Sequence, residues 1–363
     1  MMMKRRKRLM LVFLVVAAGG AFLGYLRDPV TGGREQLLIP RETKDTGNAH
    51  EQLRPQPGRT RIWRDRTLRC EHLLGAAPGP HLLVPIEVRV TPDGTVYVLD
   101  WGDKSVKKFS ADGRLLTTYG GSAGQGPGEF VNPTDFDVDA DGSLWVCDPV
   151  NGLITVFAVD GTVKRTIRPE RPPHRLALLG DGGYVLMSSP AGERLFTFFR
   201  QNGDSLLACG TVMENQAQLS IALDGRLAGT PAGRFAYCAY RAGLLGIFNP
   251  TMHPKLIFVH TIDSPGLPPV ISRQSATAHY LRVAPSAPIV SRNVSLVGDE
   301  VHVLAGTDTM PEWNVMDVYD GNSGRYRYSY TVPGDAAVVR VHGQKLYTIA
   351  DTTVTVWSVI TPL

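Results

Sequence analysis

PIEVRVTPDGTVYVLDWGDKSVKKFSADGRLLTTYG, residues 85–120, lies over PTDFDVDADGSLWVCDPVNGLITVFAVDGTVKRTI, residues 133–167, at an offset of 48. Pro85 and Pro133, Asp93 and Asp141, Gly94 and Gly142, Asp100 and Asp148, and Phe109 and Phe157 coincide. Each unit reads as strand, Asp-Gly turn, strand, loop, strand, Asp-Gly turn, strand, because short apolar runs of period two are bounded by turn residues. A four-stranded unit recurring about every 40–50 residues is the signature of a β-propeller blade.

Fainter copies run from Pro173 to Cys209, with a turn at Asp181-Gly182, and from Leu219 to Ile262, with a turn expected at Asp224-Gly225. Two more span Asn293–Val332 and Val338–Val359. The last copy has only three strand-like runs, and RTLRCEHLL at 66–74 precedes the first blade without an assignment. Giving that segment to the last blade closes the ring and removes the edges an open array would expose. The expected fold is therefore all-β, a six-bladed propeller over 59–363 with an N-terminal strand completing the last blade. The segment GQGPGEFVNPTDFDVDADGSLWVCDPVN (124–151) resembles the NHL repeat of six-bladed propellers, in which a Gly-Pro-Gly-Glu-Phe loop leads into a Pro-led inner strand. The resemblance covers roughly residues 83–170. It implies the fold and leaves the activity open.

Residues 1–8 are a basic n-region, and LMLVFLVVAAGGAFLGYL at 9–26 is 18 residues without a charge. That length suits an uncleaved signal anchor better than a cleavable signal core, although the small residues at Ala17–Ala21 leave cleavage open. A transmembrane helix is expected there, contacting the membrane through 9–26. The positive-inside rule then puts everything after Arg27 outside the cytoplasm, periplasmic or extracellular, and secreted if the signal is cleaved. Residues 27–58 mix charge, Gly and Pro and read as a flexible tether reaching about 30 Å.

Hydrophobic residues make up 43% of the chain, with 38 Gly and 26 Pro, which suits a packed core with many turns. The formal charge of +4 comes from six basic residues within 1–27; without them 32 basic residues face 34 acids. A folded domain with that balance lacks the basic footprint of a nucleic-acid binder. Cys70, Cys147, Cys209 and Cys238 are too scattered for a disulfide framework or a metal knuckle and read as free thiols.

In a propeller the Asp-Gly turns share one face, while loops after second strands and between blades share the other, usually functional, face. On that face fall Trp101-Gly102-Asp103, Pro149–Asn151, Ala191–Arg194, Arg241, Thr309–Trp313, Asp351-Thr352 and the connection 263–292, long enough for a lid. Trp101 and Trp313 stand in loops, where they stack on a ligand or plug a gap between blades. The GPGEF loop lacks the following helix of a phosphate cradle and reads as structural. Asp100 and Asp148 repeat at a strand end and read as hydrogen-bond acceptors for the backbone.

Aligning the inner strands on their turns puts Glu87, Asp135, Arg175, Gln218, Asn293 and Val338 in one row at the channel mouth, with His174 beside it. Two readings stand. In one the row is a ligand site; in the other the charges are structural, Asp135 pairing with Arg175 and Arg89 with Asp137 one layer deeper. Function reads as a membrane-tethered binding or scaffold module for a protein, peptide or glycan. The alternative is a Ca²⁺- or Zn²⁺-dependent hydrolase or lyase of the lactonase or strictosidine-synthase kind, implied by resemblance. No H-x-H, H-E-x-x-H or G-x-S-x-G supports an enzyme, although a Ser-His-Asp triad needs no adjacency in sequence.

Overall fold

The structure is a computed structural model that describes residues 34–43, 53–75, 82–189, 191–252, 255–274, 279–306, 313–333 and 336–360. The expected membrane segment 9–26 and the n-region lie outside the described residues. Among the described residues no helix is long and apolar enough to cross a membrane.

Six sheets, five of them built on four consecutive strands and the sixth on three plus an N-terminal one, form a ring. Blade 1 spans Pro85–Gly120, blade 2 Asp135–Ile167, blade 3 Pro173–Cys209, blade 4 Gly225–His260 and blade 5 Ser291–Pro333. Blade 6 consists of Val338–His342, Lys345–Ala350 and Thr353–Val359, and its outer strand is Leu68–Leu74 from the N-terminal side. That antiparallel pairing, from Val354 opposite Leu74 to Val359 opposite Leu68, is the closure expected from the three-stranded last copy. Each inner strand contacts the next around the circle, including blade 6 to blade 1.

The second strands explain why the ring holds. Val96–Asp100, Leu144–Asp148 and Phe235–Ala239 are buried along their whole length, since each is covered by a blade on both sides. Six apolar clusters fill the six gaps between blades. Tyr97, Leu99, Phe136 and Val146 occupy the gap between blades 1 and 2, for example, and Val88, Val98, Val338 and Ile349 the gap between blades 6 and 1. The GPGEF loop is structural as expected: Glu129 accepts a hydrogen bond from the Gly126 N–H at 2.8 Å, and Phe130 is buried against Phe157.

Three expectations change. Blade 4 starts at Gly225 rather than Leu219, because its first turn is Thr230-Pro231-Ala232-Gly233, where the Gly233 N–H donates to Thr230 O as Gly94 does to Thr91 O. Asp224-Gly225 is therefore the entry to the inner strand. The connection 263–292 is not one long loop; it contains the strands Val270–Gln274 and His279–Val283, joined by Arg34–Leu38 into a separate three-stranded sheet. Val270 is fully buried in the cluster between blades 3 and 4, with Leu38, Leu267 and Leu281 packed against it. Finally, the described parts of the expected tether are not free coil. Leu53–Arg54 adds a parallel strand to the outer edge of blade 4, and the Gln56 side chain donates to the carbonyls of His260 and Gly324.

Candidate functional site

The register between first and second strands fixes the channel row. Glu87, Asp135, Arg175, Asn293 and Val338 pair with Leu99, Cys147, Met187, Leu304 and Ile349, the same level in five blades. In blade 4 that level belongs to Arg226, opposite Cys238. Gln218 is out of the row: it lies exposed on the short helix Gln216–Leu219, a correction that follows from the turn in blade 4. The signal was present, since Arg226 stands four residues before Thr230-Pro-Ala-Gly as Glu87 does before Thr91-Pro-Asp-Gly. Val338 is apolar and packs in the blade 6–1 cluster.

The row is an ion-pair plug. Glu87, with no exposed surface, meets Arg89 Nη1 at 2.7 Å, Arg340 Nη2 at 2.6 Å and Arg226 Nη1 at 3.1 Å. Burial pushes the Glu87 carboxyl up, but Arg340, Arg89 and Arg226 outweigh it and hold the group well below the ordinary range. Asp135 accepts from Arg89 at 3.1 Å and from the Leu176 N–H at 3.0 Å. The Asp135–Arg175 and Arg89–Asp137 pairs expected from sequence do not form. Arg175 instead donates to the carbonyls of Gly225 at 2.8 Å and Thr134 at 2.7 Å, and to the Tyr240 hydroxyl. Asp137 accepts from the Leu178 N–H, and burial raises its pKa.

Nearest the mouth, His174 Nε2 lies 3.1 Å from Asp224 Oδ1. Burial and the neighbouring Arg175 lower the His174 pKa in spite of that carboxylate. Burial opposes the charge on Asp224, yet His174 and Arg175 keep its pKa at about 2. The mouth thus presents a neutral imidazole and an anionic carboxylate. These residues do not fit Ca²⁺ or Zn²⁺: Glu87 is saturated by three guanidinium groups and Asp224 faces Arg175 at 4.0 Å, so any cation entering would meet arginines. Among the described residues no three His, Cys, Asp or Glu gather as metal ligands.

The loop face over blades 1 and 2 differs in character. Trp101 is 41% exposed, with Leu83, Val84 and Val150 exposed as well. Asp100 and Asp148 support this surface as the acceptors expected from sequence. Asp100 takes the N–H groups of Leu83 and Val84 at 2.8 Å, and Asp148 those of Val131, Asn132, Val150 and Asn151. The Trp101 Nε1–H donates to Asn132 Oδ1 at 2.8 Å, and the Lys104 ammonium lies 3.2 Å from the ring centroid. Trp313 is on the other side of the ring and opens the strand Trp313–Asp320 opposite Pro333, so it belongs to a strand end rather than to a loop. Cys70, Cys147 and Cys238 are free thiols, with Cys147 and Cys238 on second strands of different blades.

A family described as a 6-bladed β-propeller matches residues 82–185. No curated protein matches the sequence. Among solved structures, a protein from Bacteroides fragilis described as exported is 11% identical, with a TM-score of 0.53 over 82% of this chain and 96% of that one. Virginiamycin B lyase from Staphylococcus aureus is 12% identical, with a TM-score of 0.49 over 82% of this chain and 100% of that one. A member of the DUF4221 family from Bacteroides vulgatus is 8% identical, with a TM-score of 0.49 over 81% and 98%. At such identities what is shared is the fold.

Proposed function

We propose that this chain is an extracytoplasmic recognition module, NHL-like in blades 1 and 2, that binds an extended peptide segment of a partner protein on the loop face of those blades. The observation that carries this reading is the exposed set Leu83, Val84, Trp101 and Val150, backed by the buried carboxylates of Asp100 and Asp148. Exposed apolar groups held rigidly by buried hydrogen bonds suit recognition better than folding, because a chain gains nothing in stability by fixing them in water. A peptide is favoured over a sugar because Lys104 already occupies a face of the indole, while the aliphatic neighbours offer surface for apolar side chains. The apolar run 9–26 and the basic cluster before it support membrane anchoring, and the exported Bacteroides neighbour supports only the extracytoplasmic side of the reading.

Two measurements test the reading. A photo-crosslinking residue at Leu83 or Val150 in the full chain, expressed in cells, gives a discrete protein adduct that Trp101→Ala abolishes, whereas the same probe at Asp112 on the opposite face gives none. Equal adducts from both faces, or an adduct indifferent to Trp101→Ala, would overturn it. For the topology, a reporter fused after residue 60 is active only outside the cytoplasm, and activity inside would remove the anchor.

A further inference from the structure

A second group of reactive side chains sits at the rim of blade 4. His260 ends the outer strand Leu256–His260, opposite Leu244. The chain turns there and brings Ser264 back, so that its Oγ lies 2.7 Å from His260 Nδ1. Across the imidazole, Glu42 Oε1 stands 3.5 Å from Nε2. A proton on Nε2 facing the carboxylate leaves the Nδ1 lone pair to accept the serine hydroxyl. Hydroxyl, imidazole and carboxylate thus follow one another, from two separate parts of the chain, in the order that serves acyl transfer on unrelated folds, with the two ring nitrogens exchanged relative to the serine-protease triad.

The arrangement is held from several sides. Glu42 bridges Met213 in antiparallel fashion, with the Thr43 N–H donating to Val212 O at 3.1 Å and the Glu214 N–H to Arg41 O at 2.8 Å. Gln56 Nε2 donates to the His260 carbonyl at 2.9 Å. Asp263 pairs with Arg61, and the Ile262 N–H donates to the Tyr319 hydroxyl. Gly243, at φ +61°, is required beneath the serine, since a Cβ there would stand 2.6 Å from Ser264 Cα and 2.9 Å from its Oγ. Among the other described histidines, His302 touches both the Tyr330 hydroxyl and Glu300 but is buried, His174 faces Asp224, and His279 lies 2.8 Å from the Ser272 hydroxyl.

Substrate has access. An open pocket of about 300 Å³ is lined by Arg59, His260, Ser264, Pro265 and Gly266 among others. The residue after Ser264 is a proline and offers no N–H. With Arg59 kept for the substrate carboxylate, the donor left for an oxyanion is the backbone N–H of Gly266, a residue at φ +87° with open space around it. The pocket's cation is Arg59, and Glu42 is not among the groups lining it.

We propose that Ser264, His260 and Glu42 form a hydrolytic site for short-chain esters that carry a carboxylate, which Arg59 receives. Ser264 Oγ forms a bond to the ester carbonyl carbon while its proton passes to His260 Nδ1. The carbon–alkoxide bond breaks and the same proton leaves with the alcohol. Water, deprotonated by His260, then releases the carboxylic acid and restores the serine. Ser264 and His260 are the catalytic residues, and Glu42 is a positioning residue. The site is separate from the recognition surface on blades 1 and 2.

The test uses the full chain, a fluorophosphonate probe and mono-4-nitrophenyl succinate. The peptide containing Ser264 takes the label, Ser264→Ala abolishes it, and His260→Asn slows ester hydrolysis by about a hundredfold or more. Glu42→Gln lowers kcat with KM unchanged, and Glu42→Asp restores part of the loss, which a structural role would not do. Arg59→Met raises KM for the succinate ester but not for 4-nitrophenyl acetate. Melting temperatures establish that each variant is folded, Lys345→Met leaves hydrolysis unchanged, and the protein adduct at Leu83 is read separately, so failure of the recognition reading and failure of this one are distinguishable. An unlabelled Ser264 in the folded wild-type chain, or hydrolysis that survives Ser264→Ala, would overturn the site; an equal effect of Arg59→Met on both esters would overturn the substrate class.

Discussion

Replacing Glu87 by glutamine keeps the shape of the side chain and removes one negative charge from a site enclosed by Arg89, Arg226 and Arg340. With no exposed surface at this position, water cannot take over the lost role. Removing one partner of a buried ion pair costs about 3–5 kcal/mol, because what remains is uncompensated buried charge. Unfolding entropy of about 2.1 cal/mol/K per residue over about 300 residues makes 1 kcal/mol worth about 1.6 °C, so Glu87→Gln lowers Tm by about 5–8 °C at pH 7. Calorimetry reads this directly. The control is Lys345→Met, which breaks the pair with Glu71, whose side chains are 41% and 23% exposed; exposed pairs are worth under about 1 kcal/mol, so Tm moves by less than about 2 °C. The pH dependence supplies a second check. Burial raises the Glu87 pKa, but the three guanidinium groups win and leave it below its ordinary value of 4.5. The carboxylate therefore stabilises the fold fully above 4.5, and this contribution fades as pH falls below that towards the folded value. The gap between wild type and Glu87→Gln narrows in acid. A Tm within about 1 °C of wild type at pH 7, or a gap that widens in acid, would refute the plug.

Deleting 59–76 removes the outer strand of blade 6 and leaves the strand Thr353–Val359 as an open edge, so cooperative unfolding is lost or Tm falls by well over 10 °C; a truncated chain that melts like the intact one shows that this pairing does not close the ring. His174, His302 and His342 are all lowered from 6.5, with burial the largest cause in each. The unfolded chain therefore takes up protons near pH 6.5 that the folded one refuses, so Tm is flat between pH 8 and 7 and falls from 6.5 to 5, whereas a Tm that stays level or rises across that interval contradicts their buried neutral state.

The blades were legible because their determinants are local. An Asp-Gly turn fixes where one strand ends and the next begins, and an unbroken apolar run such as Leu144–Cys147 announces burial on both faces. Blade 4 was misread where that local chemistry changes: its first turn uses Pro-Ala-Gly, so Asp224-Gly225 attracted the assignment and Gln218 entered the row in place of Arg226. The ion pairs were legible as a level of polar residues but not in their partners. Arg89 is long enough to reach Asp135 as well as Glu87, and side-chain reach across a closing ring has no expression in sequence spacing. The sheet joining Arg34–Leu38 to the hairpin at 270–283 was hidden for a related reason. Its strands are more than 200 residues apart, and composition there resembles loop and tether. Glu42 reaches His260 from the same non-local origin, more than 200 residues away, which no sequence motif encodes.

The plug has a consequence for where function can lie. A ligand carboxylate seeking Arg226 or Arg340 would have to displace Glu87, and a ligand cation seeking Glu87 would have to displace three arginines, either way leaving a buried charge unpaired. The channel is thus closed to both signs of charge at the level of Glu87, and recognition moves to the rim. There the described chain outside the blades is distributed unevenly. Residues 34–43 and the hairpin at 270–283 pack at the gap between blades 3 and 4, and residues 53–64 run along the outer edges of blades 4 and 5. No described segment of this kind covers Leu83, Val84, Trp101 and Val150, which stay exposed on blades 1 and 2. Because the inner strands are locked together by ion pairs and by arginine hydrogen bonds to carbonyls, a ligand arriving on blades 1 and 2 meets a rigid platform. Its affinity must come from complementarity to a fixed surface rather than from closure of the ring.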